Sequence, residues 1–565
     1  MKEIIVREYL ESLKEDSQLD LLFPILLEVL EFQIVTTPKE YKGHKQYGKD
    51  IIALGIDPHD GERKRFYFEL KGGNDRNINT KTYTKEDGIR MSIIEAKDKN
   101  FSDNSIAGFN ALPIKIVIVH NGVLMPDIRE TFDDFIKKEF PKNNVLGFER
   151  WDIHKLTHLF SEHLFGEYLL TNKENIILFK RVLVFMDVPE NSQRDFRILV
   201  NNIISNTEVV SLKKNYFPVK ITRFFETLRL IGIIVHKYSH EIGNLEISKK
   251  WISYLVLKTW YWILLNKLEN DRRIREYFEK ITLLHRQVLD EYFRKILPIA
   301  KFKYGLFSEN GGRYEQIGYP IRCMEFLKYL NYWYLLKQEN ELTTKEKEEI
   351  LTRVVDANDG TYRPILDIHS IPILQTVLFY IDNGFIDNAK KYIVNVFEQI
   401  ILGKKYRGRL PDGNNNPQSL IRLTIRGEKS IYYEDRTSML IGMLFELLAA
   451  LGMEKEYILY KEEFKNIHLA TYIPLSDDLL LQYFPDSQLS HEEMLFNQTL
   501  YDEGYQSEII LDNDFDVFVK KTKNKDEYTI EYRTIKVGYP SLLILAHTFY
   551  DTPLPPRFWR ASFRK

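Results

Sequence analysis

The sequence predicts an α/β sandwich around a small mixed sheet in its first third, followed by a large, mainly α-helical region, either a bundle or an irregular α-solenoid. Three observations carry this. Up to about Leu170, strand-like and helix-like segments alternate. From about residue 175, apolar residues recur at helical spacing over long stretches. At 565 residues, the chain also exceeds what one hydrophobic core supports. The expected domains are 1–170 and 171–565, the second divisible into about 171–340 and 341–565.

The elements follow in order. DLLFPILLEVLEF places Leu22, Ile25, Leu26, Val29 and Leu30 at helical spacing. GKDIIALGID and KRFYFELKGG read as two strands joined by a turn at Asp60-Gly61. NDRNINTKTYTKED reads as a loop and IRMSIIEAKDK as a short helix. LPIKIVIVHNG is a buried strand closed by Asn121-Gly122. PDIRETFDDFIKKEF reads as a helix opening on proline, and NVLGFERWD as a strand. DIHKLTHLFSEHLF reads as a helix with Asp152 as N-cap. Seven long helical patterns follow, from TRFFETLRLIGIIVHKY to TSMLIGMLFELLAALG, with no fixed-period repeat. DFDVFVKKTKNKDEYTIEYRTI, near the C-terminus, reads as a small β-hairpin turning at KNKD.

Composition narrows the function classes. The chain is 44% hydrophobic and 28% charged, which is ordinary globular material. A formal charge of -2 excludes a polycation, so nucleic acid binding requires a local basic patch or a metal site. The single cysteine, Cys323, excludes an intramolecular disulfide and a cysteine-based zinc site, and reads as a buried apolar thiol. No apolar run is long and uncharged enough for a signal peptide or a membrane span. The expectation is a soluble, cytoplasmic protein with no membrane association.

The chemistry concentrates in YGKDIIALGIDPHDGERKRFYFELKGG. Asp50 opens the first strand, and Glu69 and Lys71, two apart on the second, share a face. The hairpin turn lies at a similar distance from Asp50 and Glu69, so the two carboxylates should meet and share a divalent cation. Mg²⁺ takes oxygen ligands and keeps several waters, so one or two carboxylates suffice. Such an ion stabilises charge in phosphodiester hydrolysis and generates hydroxide near neutral pH. Lys71 is placed to orient the attacking water or neutralise the leaving phosphate. A charged pair ending an apolar strand is costly unless compensated, and metal binding compensates it. Gly72 and Gly73 leave room for a substrate backbone. The competing interpretation is a cross-strand ion pair on a solvent-facing edge, worth under about 1 kcal/mol.

Gly48-Lys49-Asp50, a hairpin, and Glu69-Leu70-Lys71 resemble the PD-(D/E)XK, or restriction endonuclease-like, nuclease superfamily over about residues 15–165. The resemblance implies a core of helix, three strands, helix and strand. It also implies a metal site formed by Asp50, Glu69 and the Leu70 backbone carbonyl, with Lys71 helping to activate water. The family often adds an acidic residue from its first helix. Asp20, Glu28 and Glu31 are the candidates, with Glu28 favoured. Lys49 stands where the family name has proline.

The leading expectation is therefore a Mg²⁺- or Mn²⁺-dependent endonuclease acting on DNA, regulated by its helical region. That architecture is similar to bacterial anti-phage defence and restriction effectors, an analogy that carries little functional weight by itself. The alternatives are a non-enzymatic helical scaffold with a degenerate nuclease fold, or a nuclease for RNA or branched DNA in repair. The aromatic-rich helices (Trp251, Trp260, Tyr261, Trp262, Tyr329, Tyr332, Trp333, Tyr334) read as core, or as a homo-oligomer interface or partner groove. No phosphate-cradling GxxxxGK[ST] loop is present, so any ATP requirement falls to a partner ATPase or sensor protein. His236 and His240, one helical turn apart, and His154, His158 and His163 have metal-like spacing but read better as ordinary helix residues. Lys404, Lys405, Tyr406, Arg407 and Arg409 read as a basic loop, either solvated or in contact with phosphates.

Overall fold

The computed structural model describes residues 6–7, 10–11, 13, 15, 19–36, 47–86, 88–141, 146–164, 173–205, 219–472, 476–477, 480–481, 508–525 and 531–564. The chain divides into two compact units, Met1–Tyr238 and Ser239–Lys565. The sheet ends near the sequence boundary at 170. Helices Lys173–Val184, Pro189–Ser205 and most of Val219–Glu241 nevertheless group with it. Among the described residues, no helix is long and apolar enough to cross a membrane.

The first unit holds a five-stranded mixed sheet in the order β1 (Gln33–Thr36), β2 (Ile51–Ile56), β3 (Arg63–Lys71), β4 (Ile114–His120) and β5 (Leu146–Trp151). Helix α1 (Asp20–Val29) precedes it. The first three strands pair antiparallel, and β4 and β5 add in parallel. β1 is an addition to the strand pair read from sequence; at four residues it is too short to show alternation. The β2–β3 turn closes where expected. Asp57 N–H donates to the Glu62 carbonyl (2.8 Å), and Gly61 takes a positive φ of 74° that favours glycine. The parallel step from β3 to β4 needs a crossover. It is supplied by α2 (Thr80–Thr84) and α3 (Ile89–Asp98), and α4 (Arg129–Glu139) makes the next one. Part of the stretch read as a loop is thus helical, because Asn79 and Thr82 form a reciprocal capping box. α5 (Ile153–Leu159) begins on Asp152, whose carboxylate accepts from the amides of His154 and Lys155.

Alternation along β3 divides the core. Phe66 and Phe68 pack toward α1, with Phe23 5.2 Å from Phe68 and Trp151 5.6 Å from it. Tyr67 points the other way, into a cluster with Ile52, Ile89, Ile93, Ile116, Ile118 and Phe132. Both faces are therefore covered. At the turn end, Asp57 is buried. It accepts from Lys64 Nζ at 2.9 Å and from Lys115 Nζ at 2.9 Å, and Lys115 also reaches Glu149 at 2.8 Å.

The second unit is mainly helical among its described residues. Its long helices, Leu245–Leu265, Arg272–Ala300, Glu315–Leu336, Ser370–Asp382, Ile386–Arg407 and Met439–Ala450, coincide with the periodic segments of the sequence. Trp251, Trp260, Trp262, Tyr329, Tyr332, Trp333 and Tyr334 are buried, as core packing requires. Cys323 is buried too, and burial pushes its thiol up to about 12. Two expectations need correction. The expected C-terminal hairpin begins instead as helix Phe515–Lys523. Asp514 caps it, and Phe515 and Phe518 pack on Tyr457 at 5.2 and 5.0 Å. Its second strand falls partly on 526–530, outside the described residues. The small sheet of this unit is a parallel pair, Thr437–Ser438 with His468–Leu469. Lys404, Lys405, Tyr406 and Arg407 form the last turn of a helix rather than a loop. Gly408 terminates that helix at φ 59°, and Lys405 pairs with Glu463 at 2.6 Å.

Burial alone would raise the Asp57 pKa, but hydrogen bonds from Lys115 and Lys64 outweigh it and bring it down to about 2. This part of the stability is complete above the ordinary aspartate value near 4 and is lost as pH falls toward about 2. Asp57→Asn leaves two buried ammonium groups poorly matched. It should cost about 3 kcal/mol in urea unfolding at pH 7. The variant should also lose the Asp57 share of the acid dependence between those two pH values.

Candidate active site

The last residues of β3 are held from three directions. On the β2 side, Asp50 N–H donates to the Phe68 carbonyl (2.9 Å), and the Asp50 carboxylate accepts the Leu70 amide (2.7 Å). Asp50 therefore brackets Glu69 from the neighbouring strand. A strand residue projects its N–H and C=O to the same edge, so the Leu70 carbonyl also faces the Asp50 side. On β3 itself, Glu69 and Lys71 lie two residues apart, with Lys71 Nζ 2.8 Å from Glu69 Oε1. Both side chains are nearly covered, at 6% and 13% exposure, so this is not a solvated edge pair.

The third direction is the N-terminal segment. Glu15 Oε1 lies 3.5 Å from Lys71 Nζ, and Glu15 Oε2 accepts the Gly72 amide at 3.2 Å. Backbone contacts fix the segment that carries it. Gly73 N–H donates to the Leu13 carbonyl (3.2 Å), and Asn121 Nδ2 donates to the carbonyls of Leu10 (2.6 Å) and Leu13 (2.8 Å). Arg76 donates to the Glu11 carbonyl at 2.6 Å.

Three carboxylates thus surround one ammonium group. Burial raises the Asp50 pKa well above the ordinary value. Glu69 adds repulsion, and the Leu70 amide and Lys71 only partly offset it. Burial likewise raises Glu15, against the attraction of Lys71. Burial disfavours the Lys71 charge, yet Glu69, Glu15 and Asp50 outweigh that and hold its pKa above the ordinary lysine value. Lys49, next to Asp50, is buried over the Tyr67 ring, and burial lowers its pKa to about 8.

Among the described residues, no group of three or more His, Cys, Asp or Glu side chains is gathered to hold a metal ion by itself. The Lys71 ammonium lies within ion-pair range of both Glu69 and Glu15. The donor chemistry nevertheless fits a hard divalent cation. Asp50, Glu69 and the Leu70 carbonyl are oxygen donors at one strand end, and ionisation of the carboxylates leaves an excess of negative charge there.

Asp50, Glu69, Leu70 and Lys71 are brought together, as the sequence predicts. Among the described residues of the N-terminal region, the acidic residue that reaches them is Glu15. Glu28, favoured from sequence, is exposed on α1, and Glu31 is exposed beyond its end at φ 66°. Sequence reasoning passed over Glu15 because the helical spacing it followed begins at Leu22. The histidine candidates lie elsewhere: His158 pairs with Glu162 at 3.2 Å and His240 with Glu291 at 3.2 Å.

An aspartate whose folded pKa is raised weakens folding once it ionises. Asp50→Asn keeps an acceptor for the Leu70 amide and removes the charge. At pH 7 to 8 it should raise the unfolding temperature of the full chain by a few degrees. The gap should close as pH falls and the wild-type carboxyl becomes protonated; an unchanged or lower unfolding temperature in the variant would remove the repulsion argument. Comparison with known proteins gives no matching family model, no matching curated protein and no matching solved structure.

Proposed function

We propose that the first unit is a Mg²⁺- or Mn²⁺-dependent endonuclease that hydrolyses DNA phosphodiester bonds. We further propose that the helical unit regulates it, in the manner of a bacterial anti-phage or restriction effector. The observation that carries the hydrolase reading is Asp50 clamped to the Leu70 amide beside Glu69, with Lys71 on the same strand end. The element order adds support: a helix, three antiparallel strands, a helical crossover and a parallel strand is the order the PD-(D/E)XK resemblance implies.

Asp50, Glu69 and the Leu70 carbonyl would hold the ion. When bound, it supplies charge neutralisation at the phosphate and a more acidic water. Lys71 stays protonated among its carboxylates, so it acts as a donor and fixed positive charge toward water or phosphate rather than as a free base. Glu15 orients that ammonium and ties it to the Gly72 amide. Gly72 and Gly73 leave the strand exit without side chains.

The test is cleavage of plasmid, linear duplex, single-stranded DNA and RNA in Mg²⁺ or Mn²⁺. Glu69→Ala and Lys71→Ala should each lower the rate about a hundredfold or more while DNA binding persists. Glu15→Gln should reduce the rate more than Glu28→Gln does. Absence of cleavage by the wild-type chain with every metal and substrate would overturn the hydrolase reading, and cleavage of RNA alone would replace the substrate.

A further inference from the structure

β3, β4 and β5 run parallel, and their ends lie side by side. In register, Glu69 pairs with Ile118, and Ile118 with Arg150. Lys71 pairs with His120 one row further. Arg150 therefore shares a row and a face with Glu69, two strands away, about 10 Å at the usual strand spacing. Its guanidinium leans back toward the site: Arg150 Nη1 lies 3.2 Å from His120 Nε2.

His120 is fully buried at the end of β4. Its Nδ1 lies 2.9 Å from the Arg76 carbonyl, which can only accept, so Nδ1 carries the proton and Nε2 is the acceptor facing Arg150. Burial lowers the imidazole pKa to about 4, which keeps it neutral in that role. On the other side, Asp152 Oδ2 lies 3.2 Å from the guanidinium, while Oδ1 of the same carboxylate caps α5. The Arg150 side chain keeps 26% of its exposure, enough to reach a ligand. A long, flexible cation is thus oriented by two fixed groups beside the carboxylates, which otherwise repel a polyanion.

We infer that Arg150, oriented by His120 and Asp152, is a positioning residue that binds a backbone phosphate flanking the scissile one, so that the site favours a polynucleotide over a mononucleotide or simple diester. This rests on the hydrolase reading for the place of the scissile bond. Arginine suits this task because its planar fork matches a phosphate in two directions.

The test compares the full wild-type chain with Arg150→Gln and Arg150→Lys, after thermal unfolding has shown all three to be folded. Substrates are a 30-base-pair DNA duplex and bis(p-nitrophenyl) phosphate. Arg150→Gln should weaken duplex binding about tenfold and reduce the salt dependence of binding by about one counterion, and Arg150→Lys should restore the salt dependence. On the duplex the loss should fall on KM more than on kcat. Hydrolysis of the small diester, which has no flanking phosphate, should match wild type. Duplex cleavage with unchanged affinity and salt dependence in Arg150→Gln would overturn this inference and leave the hydrolase reading intact. So would an equal loss on both substrates, which would mark Arg150 as part of the scaffold. Weakened binding in Arg150→Gln by a chain that never cleaves would sustain the phosphate contact and remove the hydrolase.

Discussion

The constraint on which the first unit turns is an uncompensated charge at the end of a covered sheet. Asp50, Glu69 and Glu15 crowd one lysine where water is largely excluded. At two other places among the described residues, buried charge is matched. At the other end of the sheet, Asp57 and Glu149 face Lys64 and Lys115, and the Asp57 carboxyl is pulled down rather than pushed up. In the helical unit, the fully buried Glu446 is met by Lys525 at 2.8 Å, Trp559 at 2.7 Å and Arg560 at 3.0 Å. The imbalance at the end of β3 is retained at a stability cost, the pattern expected where ligand binding supplies the missing compensation.

The hairpin was readable because its signals are local. The apolar run before Asp57, the Asp-Gly turn and the alternation of FYFELK fix which residues of β2 and β3 meet, and Asp50 follows from them. The long helices were readable for the same reason, since a repeat of three and four residues persists over several turns. What the sequence concealed depends on distant partners. Glu15 reaches Lys71 from a segment held by Gly72, Gly73 and Arg76 and by Asn121, which lies more than a hundred residues later and binds the carbonyls of Leu10 and Leu13. His120 and Arg150 fall within ordinary strand text and gain meaning only from the parallel register of β3, β4 and β5.

The misread C-terminal segment shows how a short apolar alternation misleads. In DFDVFVKK, Phe515, Val517 and Val519 alternate as a strand would, yet Phe515, Phe518 and Thr522 also fit a helical face, and that is the set the structure buries. The Asp514 cap and the Tyr457 ring decide between the two. The basic run at Lys404 to Arg407 is a parallel case. Glycines on both sides suggest a loop, but Gly403 is tolerated within the helix and only Gly408 ends it.

The strut formed by Asn121 bears on how the chain is made. Leu10, Leu13 and Glu15 leave the ribosome early, but part of their anchoring is Asn121 at the end of β4, so their place is completed only when about a hundred more residues have emerged. A nascent or prematurely terminated chain that stops before β4 carries Asp50, Glu69 and Lys71 without the Asn121 part of the fixture that holds Glu15 in place. Synthesis itself therefore delays completion of the acidic set until the sheet exists to contain it.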